Sequence, residues 1–325
     1  MTSLSPRFLS LAAAGPETPA DCAAELAAGL QAQPAQVAPK YFYDALGSAL
    51  FTAITELPEY YPTRTEAAIL QAHGGEIAAA LQAALPVGFD FVDLGAGDGA
   101  KAAALFERLA PGRYIAVDIS EGYLRQALQA LQRRFPALPM VGVGLDFAAR
   151  LALPEGLPAG PALVFYPGSS IGNFAPPEAL RLLRQARALA GGGALLIGAD
   201  LVKPVAVLEA AYDDALGVTA AFNRNLLSHV NRRLGSDFAL ADWSHVALFN
   251  AAESRIEMHL QARRALTVRW PAGERRFKAG ERIHTESSYK WTPPAFEALL
   301  REAGWPEVRR WCDPREWFGV FVATG

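Results

Sequence analysis

From Phe89 onward the chain alternates short apolar runs with longer segments of helical spacing. Phe89–Leu94, Arg113–Val117, Met140–Val143 and Ala162–Tyr166 have strand length and strand composition, whereas Lys101–Leu109 and Ser120–Phe135 repeat their apolar positions as helices do. Leu124, Ala127, Leu128 and Leu131 form the i, i+3, i+4, i+7 stripe that a helix lays on a sheet, and Ser120 stands where an N-cap belongs. Pro176 and Pro177 open a further helix with Leu180, Leu183 and Ala186 on one face. Gly191–Gly193 close it, and Ala194–Gly198 reads as the next strand. This alternation predicts a parallel sheet with crossover helices, an α/β fold.

The flanks follow other patterns. Residues 19–35 are rich in alanine with helical spacing, two aromatic stretches follow at Lys40–Asp44 and Leu57–Glu66, and residues 66–85 read as one amphipathic helix. From residue 201 to residue 286 the strand–helix rhythm stops, which marks an insertion. At Thr292 it resumes with a helix bearing Phe296, Leu299, Leu300 and Ala303, ended by Gly304. Val308–Trp311 and Phe318–Val322 are close enough to pair antiparallel, so the expected sheet is mixed and mostly parallel.

Composition narrows the partners. Of 325 residues 51% are apolar and 19% charged, so the chain can bury a sizeable core. Its 30 Lys and Arg against 33 Asp and Glu leave no overall basic field, and no nucleic-acid partner is expected. The longest strongly apolar stretch, Ala188–Ala199, is well short of the roughly 18 residues of a membrane span. Phe8–Ala14 after Arg7 imitates a signal peptide only faintly, because Ser10 interrupts it. Cys22 and Cys312 lie far apart and no C-x-x-C occurs, so a reducing cytoplasm is the expected compartment. The five histidines show no H-x-x-x-H pairing, and no protein-bound metal is expected.

Asp93-Leu-Gly95-Ala-Gly97-Asp-Gly99 falls where a strand hands over to a helix, the place where open parallel sheets bind nucleotides. Gly95-x-Gly97-x-x-Ala100 also satisfies the dinucleotide fingerprint, and Asp118 at the next strand end suits a ribose in either case. Asp93 tilts the choice: an acidic residue there repels a pyrophosphate and suits a cation such as S-adenosylmethionine. Asp146 and Phe147, after the third strand, pair an acid with a ring face for an adenine. Gly168-Ser-Ser170-Ile-Gly172 matches the G-x-S-x-G of serine hydrolases, with Ser170 as nucleophile, one of Asp200, Asp213 or Asp214, and one of His229, His245, His259 or His284. Asn173-Phe-Ala-Pro-Pro delays the following helix, however, and a nucleophile elbow needs that helix at the serine. An open Gly168–Asn173 loop, with Ser170 and the amide of Asn173, suits a polar small-molecule acceptor instead.

Seven spaced segments now stand together: Lys40–Ser48, Leu57–Glu66, Gly168–Asn173, Ala211–Asp214, Ala220–Asn223, Arg255–Met258 and Thr285–Lys290. In that order they resemble the histidine-specific Nα-methyltransferases of ergothioneine biosynthesis, from about residue 37 to the C-terminus. The resemblance implies a class I, Rossmann-like methyltransferase core at residues 61–200 and 287–325, with an amino-acid-binding domain from residues 1–60 and 201–286. It implies trimethylation of the α-amine of L-histidine by three S-adenosylmethionine molecules to give hercynine, by a monomer without metal. The cofactor residues it implies are Tyr43, Gly95, Gly97, Lys101, Asp118, Asp146 and Phe147. Tyr60, Asn173 and Tyr212 would hold the amino acid's backbone groups beside Gly168 and Ser170, with Glu286 and Ser288 on the imidazole and Met258 packed against it. Positioning is assigned to Tyr43, Tyr60 and Asn173, and no general base is assigned. Two features depart from the family pattern: the loop reads Gly95-Ala-Gly97-Asp-Gly99 in place of a serine-bearing version, and Leu145 stands where glycine is expected. The nearest alternative acceptors are tryptophan, tyrosine or a histidine derivative.

Overall fold

The computed structural model describes residues 4–10 and 18–325, and elements are numbered here in chain order. The chain divides into two compact units. The first comprises residues 1–12, 62–202 and 291–325, and the second residues 13–61 and 203–290.

The first unit is built on an eight-stranded sheet in the order β1 (Arg7–Ser10), β5 (Met140–Gly144), β4 (Arg113–Asp118), β3 (Asp90–Leu94), β6 (Ala162–Tyr166), β7 (Ala194–Asp200), β14 (Phe318–Thr324), β13 (Glu307–Cys312). Strands β1, β5, β4, β3, β6 and β7 run parallel, and β14 is antiparallel to both β7 and β13. Every residue of β3, β6 and β7 is buried, as in a parallel sheet covered on both faces. The helices are α3 (Tyr61–Gln82), α4 (Ala100–Leu109), α5 (Glu121–Arg134), α6 (Pro176–Ala190) and α9 (Pro293–Glu302). Succession β3–α4–β4–α5–β5 moves outward on one side, and β6 then returns to the other side of β3, so β3 is the switch point.

Local chemistry explains these elements with three adjustments to the expected pattern. Ser120 occupies the N-cap of α5 without a side-chain capping bond; the Asp118 carboxylate accepts the Ser120 N–H instead, at 2.9 Å. The buried face of α6 is Ala179, Leu182, Leu183, Ala186 and Ala190, so Leu180 is off the stripe. The first strand is residues 7–10: β1 pairs with β5, and a side chain at Gly142 would meet the Phe8 ring at 2.7 Å and Leu128 at 2.8 Å. Residues 7–10 therefore fall with the sheet, not with the inserted unit as expected. Residues 11–14 of the faint signal-like stretch lie outside the described residues.

The second unit has a four-stranded sheet, β2 (Ala35–Gln36), β12 (Arg282–Tyr289), β9 (Arg255–Ala262), β8 (Trp243–Asn250), and a hairpin of β10 (Leu266–Trp270) and β11 (Gly273–Phe277). Its helices are α1 (Pro19–Gln31), α2 (Ala45–Thr55), α7 (Val205–Tyr212) and α8 (Val218–Leu234). Thr18 and Asp21 close a capping box on α1. Because β12 runs on to Tyr289, residues 287–290 belong to this unit and the boundary falls later than expected. The insertion leaves and returns at one clasp of the first unit: Val202 N–H donates to the Trp291 carbonyl and Trp291 N–H to the Asp200 carbonyl.

The core of the first unit is a ring cluster: Phe91 meets Phe106, Tyr114 and Phe165 edge-on at 5.7, 5.9 and 5.5 Å. Phe91→Ala empties the centre of that cluster and is expected to cost about 3–5 kcal/mol, read as a lower denaturant midpoint with an unchanged slope.

Candidate functional site

In the first unit the candidate residues gather at the carboxyl ends of β3, β4, β5 and β6. The β3–α4 loop turns on Gly95, Gly97 and Gly99, with φ of +71°, +55° and +72°. A side chain at Gly97 would meet nothing within 4 Å, so packing does not explain the glycine; a left-handed backbone open to a ligand does. A side chain at Gly95 would start 3.9 Å from the ring edge of Phe147, which places that ring beside the loop. Phe147 in turn stands edge-on to Tyr166 at 5.7 Å. Asp118 accepts the Gly97 N–H at 3.0 Å, so it fastens the loop. Asp146 accepts the Ala148 N–H at 3.1 Å and shapes the turn after β5.

Asp93 is the buried charge of this loop, 2% exposed. Tyr114 donates to its Oδ2 at 2.7 Å, and among the described residues Oδ1 has no partner. Burial pushes its pKa up to about 7, against the Tyr114 hydrogen bond that lowers it. An orphaned carboxyl oxygen beside an open glycine cradle fits a cationic adenosyl ligand and does not fit a pyrophosphate.

Lys101 points elsewhere than a bare ligand-binding lysine would. Its Nζ donates to Glu66 Oε2 at 2.6 Å, and Glu66 Oε1 accepts the Gly168 N–H at 2.8 Å. Glu66 is 2% exposed and was not among the residues singled out from sequence. It ties α4 to the loop after β6, where Gly168 has φ +77°. Ser169 is also left-handed, at φ +59°, and its Oγ accepts the Asp200 N–H at 2.8 Å. Ser170 to Asn173 make one 3-10 turn, and α6 begins only at Pro176. Ser170 Oγ donates to the Pro167 carbonyl at 3.4 Å. The serine-hydrolase alternative is thereby corrected: the helix start is absent at Ser170. Its candidate bases are engaged within the second unit, His229 with the Tyr41 carbonyl, His245 with the Tyr212 carbonyl, His259 with Glu257 and His284 with Ser287.

The second unit holds the other group of candidates. Glu286 on β12 stands opposite Met258 on β9, after a bulge that follows His284. The residue is 8% exposed, and among the described residues no hydrogen-bond donor reaches its carboxyl. Burial pushes its pKa up to about 7, with Lys290 pulling it down. Ser288 shares its face, joined to Tyr212 and Lys290. Tyr60 meets Tyr212 at 6.4 Å and Phe51 at 6.2 Å. Tyr43, expected on the cofactor, belongs to this unit, edge-on to Phe51 and Phe222 at 5.9 and 6.0 Å. Asn173, expected on the amino acid, belongs to the first unit. Lys290 and Lys203, which donates to the Tyr61 hydroxyl at 2.8 Å, are buried and were not singled out; their basic side chains among apolar neighbours were the available signal. Among the described residues no group of His, Cys, Asp and Glu could hold a metal ion, and no helix is long and apolar enough to cross a membrane.

The sheet order, the switch point at β3 and the acidic glycine loop define an α/β, class I methyltransferase that uses S-adenosylmethionine. Residues 22–325 match the family described as histidine-specific methyltransferase, SAM-dependent, and the chain belongs to that family. It is 44% identical to the histidine N-alpha-methyltransferase of Mycolicibacterium smegmatis, over 94% of this chain and 97% of that one. Against the Mycobacterium tuberculosis histidine N-alpha-methyltransferase the identity is 41%, over 91% and 92%. Ergothioneine biosynthesis protein 1 of Neurospora crassa is 29% identical over 86% of this chain and 32% of its own length.

Removing Glu66 leaves the Gly168 N–H without its acceptor and Lys101 without its counter-ion. Glu66→Ala is expected to destabilise the first unit by about 2–3 kcal/mol, measured by chemical denaturation, the half-exposed Lys101 moderating the loss.

Proposed function

We propose that the chain transfers methyl groups from S-adenosylmethionine to the α-amine of L-histidine and carries the reaction through to the trimethylated product, hercynine, the first step of ergothioneine biosynthesis. The observation that carries this reading is Glu286, a buried residue whose carboxyl meets no donor among the described residues, on the same strand face as Ser288 and opposite Met258. Such a group rewards a ligand that brings an N–H and disfavours an apolar side chain, which would leave it unpaired. The names of the two mycobacterial relatives support the acceptor, and that of the fungal relative supports the pathway.

S-adenosylmethionine supplies a methyl group on a sulfonium, and in-line displacement needs only an amine lone pair aimed at it, so positioning supplies most of the rate. In this reading Gly95, Gly97, Asp118, Asp146 and Phe147 hold the cofactor, Asp93 faces its positive charge, and Lys101 acts with Glu66 to set the loop. Tyr60, Tyr212, Met258, Glu286 and Ser288 hold the amino acid, with Asn173 on its backbone groups.

Incubation with S-adenosylmethionine and each common amino acid, followed by mass spectrometry, is expected to show histidine gaining one, two and three methyl groups. Methylation of tryptophan or tyrosine with histidine untouched would sink the acceptor assignment, and accumulation of the monomethyl product alone would sink trimethylation. Glu286→Ala is expected to raise the KM for histidine at least about tenfold and leave the cofactor Kd within about twofold.

Asp93 adds a pH dependence. Below about pH 7 its carboxyl carries a proton and offers a cation no charge; above it the carboxylate attracts one. Cofactor affinity, measured calorimetrically, is therefore expected to rise with pH through about 7 and then level off. Asp93→Asn should flatten that profile at its weak end; an unchanged slope would remove Asp93 from cofactor binding.

A further inference from the structure

Residues 286, 288 and 290 alternate along β12 and past its end, so Glu286, Ser288 and Lys290 share one strand face. All three are buried, Lys290 at 3% exposure. A lysine side chain brings donors and no acceptor, so its contacts set the direction of each hydrogen bond it makes. Lys290 Nζ donates to Ser288 Oγ at 2.7 Å and to the Tyr212 hydroxyl at 3.1 Å. Tyr212, which accepts from that nitrogen, shares a hydrogen bond with Ser288 Oγ at 2.8 Å, and its phenol, the more acidic of the two hydroxyls, is the donor. Ser288 thus accepts twice. A hydroxyl has two acceptor sites and one proton, so what remains to Ser288 is to donate.

The root of the lysine is fixed as well. Its N–H donates to the Ser254 carbonyl at 2.7 Å, and Ser254 Oγ donates to the Lys290 carbonyl at 2.9 Å. Ser254 is held at φ +52°, in the turn between β8 and β9. A left-handed serine bonded at both backbone groups of residue 290 anchors an otherwise flexible side chain.

We propose that Lys290 is a positioning residue that compels Ser288 to donate, so that Glu286 and Ser288 together select a neutral imidazole in one tautomer, N–H toward Glu286 and bare nitrogen toward Ser288. This rests on the histidine reading above and adds the ring's protonation state and the residue that enforces it. An imidazolium brings N–H at both nitrogens and sets one of them against the Ser288 proton; an indole has no bare ring nitrogen to receive it.

The test compares histidine with the two pyrrolylalanines, which keep a ring N–H and carry C–H where one isomer or the other replaces the bare nitrogen. The unsubstituted protein is expected to favour histidine by about 10–100-fold in kcat/KM, the effect of stranding one buried donor. Lys290→Met should lower that ratio at least about fivefold, because Ser288 then turns its proton inward toward Tyr212. Lys290→Gln, which adds an acceptor at similar length, should do the same and serves if the methionine variant does not fold. Lys290→Arg, a donor only, should keep the ratio. In a Ser288→Ala background the ratio is already lost, and Lys290→Met should change it no further. If the Met and Gln variants slow histidine and pyrrolylalanine turnover by equal factors, Lys290 is only structural and the inference is overturned while the acceptor stands. If the unsubstituted protein methylates no histidine, the acceptor reading falls and this inference with it.

Discussion

A carboxyl group withdrawn from water has its pKa raised unless enough donors reach it, and among the described residues each unit of this chain holds one carboxyl under that constraint. Asp93 keeps a single bond from Tyr114 and an orphaned oxygen; Glu286 has no donor among the described residues. Neither adds stability in the pH range where it is ionised without a ligand. Both stand on rigid strands whose neighbours are fixed by sheet register, at the end of β3 and within β12. The chain therefore carries two positions whose cost is relieved only by an incoming positive charge or N–H group, the chemistry that S-adenosylmethionine and histidine bring.

Contrast with the satisfied carboxylates makes the point sharper. Glu257 accepts from Asn250, Arg255 and His259 and, despite burial, has its pKa held down at about 2. Glu66 divides its oxygens between Lys101 and the Gly168 N–H. These groups are structural because their acceptors are filled. Burial alone thus does not separate a site residue from a scaffold residue here; the number of donors in reach does.

Much of the first unit was legible because its strands are buried runs and its helices carry one apolar face. Ala162–Tyr166 was read at its full extent, and α4, α5 and α9 to within a residue or two. The second unit was legible only as an interruption: β8 is half-exposed along most of its length and gives no clean alternation, and β2 is two residues long. Glu286 could be singled out by family resemblance, whereas its isolation from donors could not. Glu66 lies 35 residues before the lysine it binds, a pairing that no local pattern reports. Lys290 had a local signal, two positions beyond Ser288 on a strand, which becomes meaningful only when the third partner, Tyr212, is brought from α7.

The clasp at Asp200, Val202 and Trp291 has a temporal consequence. A ribosome delivers residues 203–290 after β7 and before β14, the strand that flanks it, so β7 stands as an open edge while an entire unit emerges. During that interval nothing in the first unit can close its sheet, and the earlier segment 13–61 waits for strands about 200 residues downstream. Neither unit exists as one contiguous stretch, so a chain ended anywhere between residues 62 and 290 leaves both incomplete. Nascent chains of this protein should accordingly remain chaperone clients until β14 has emerged.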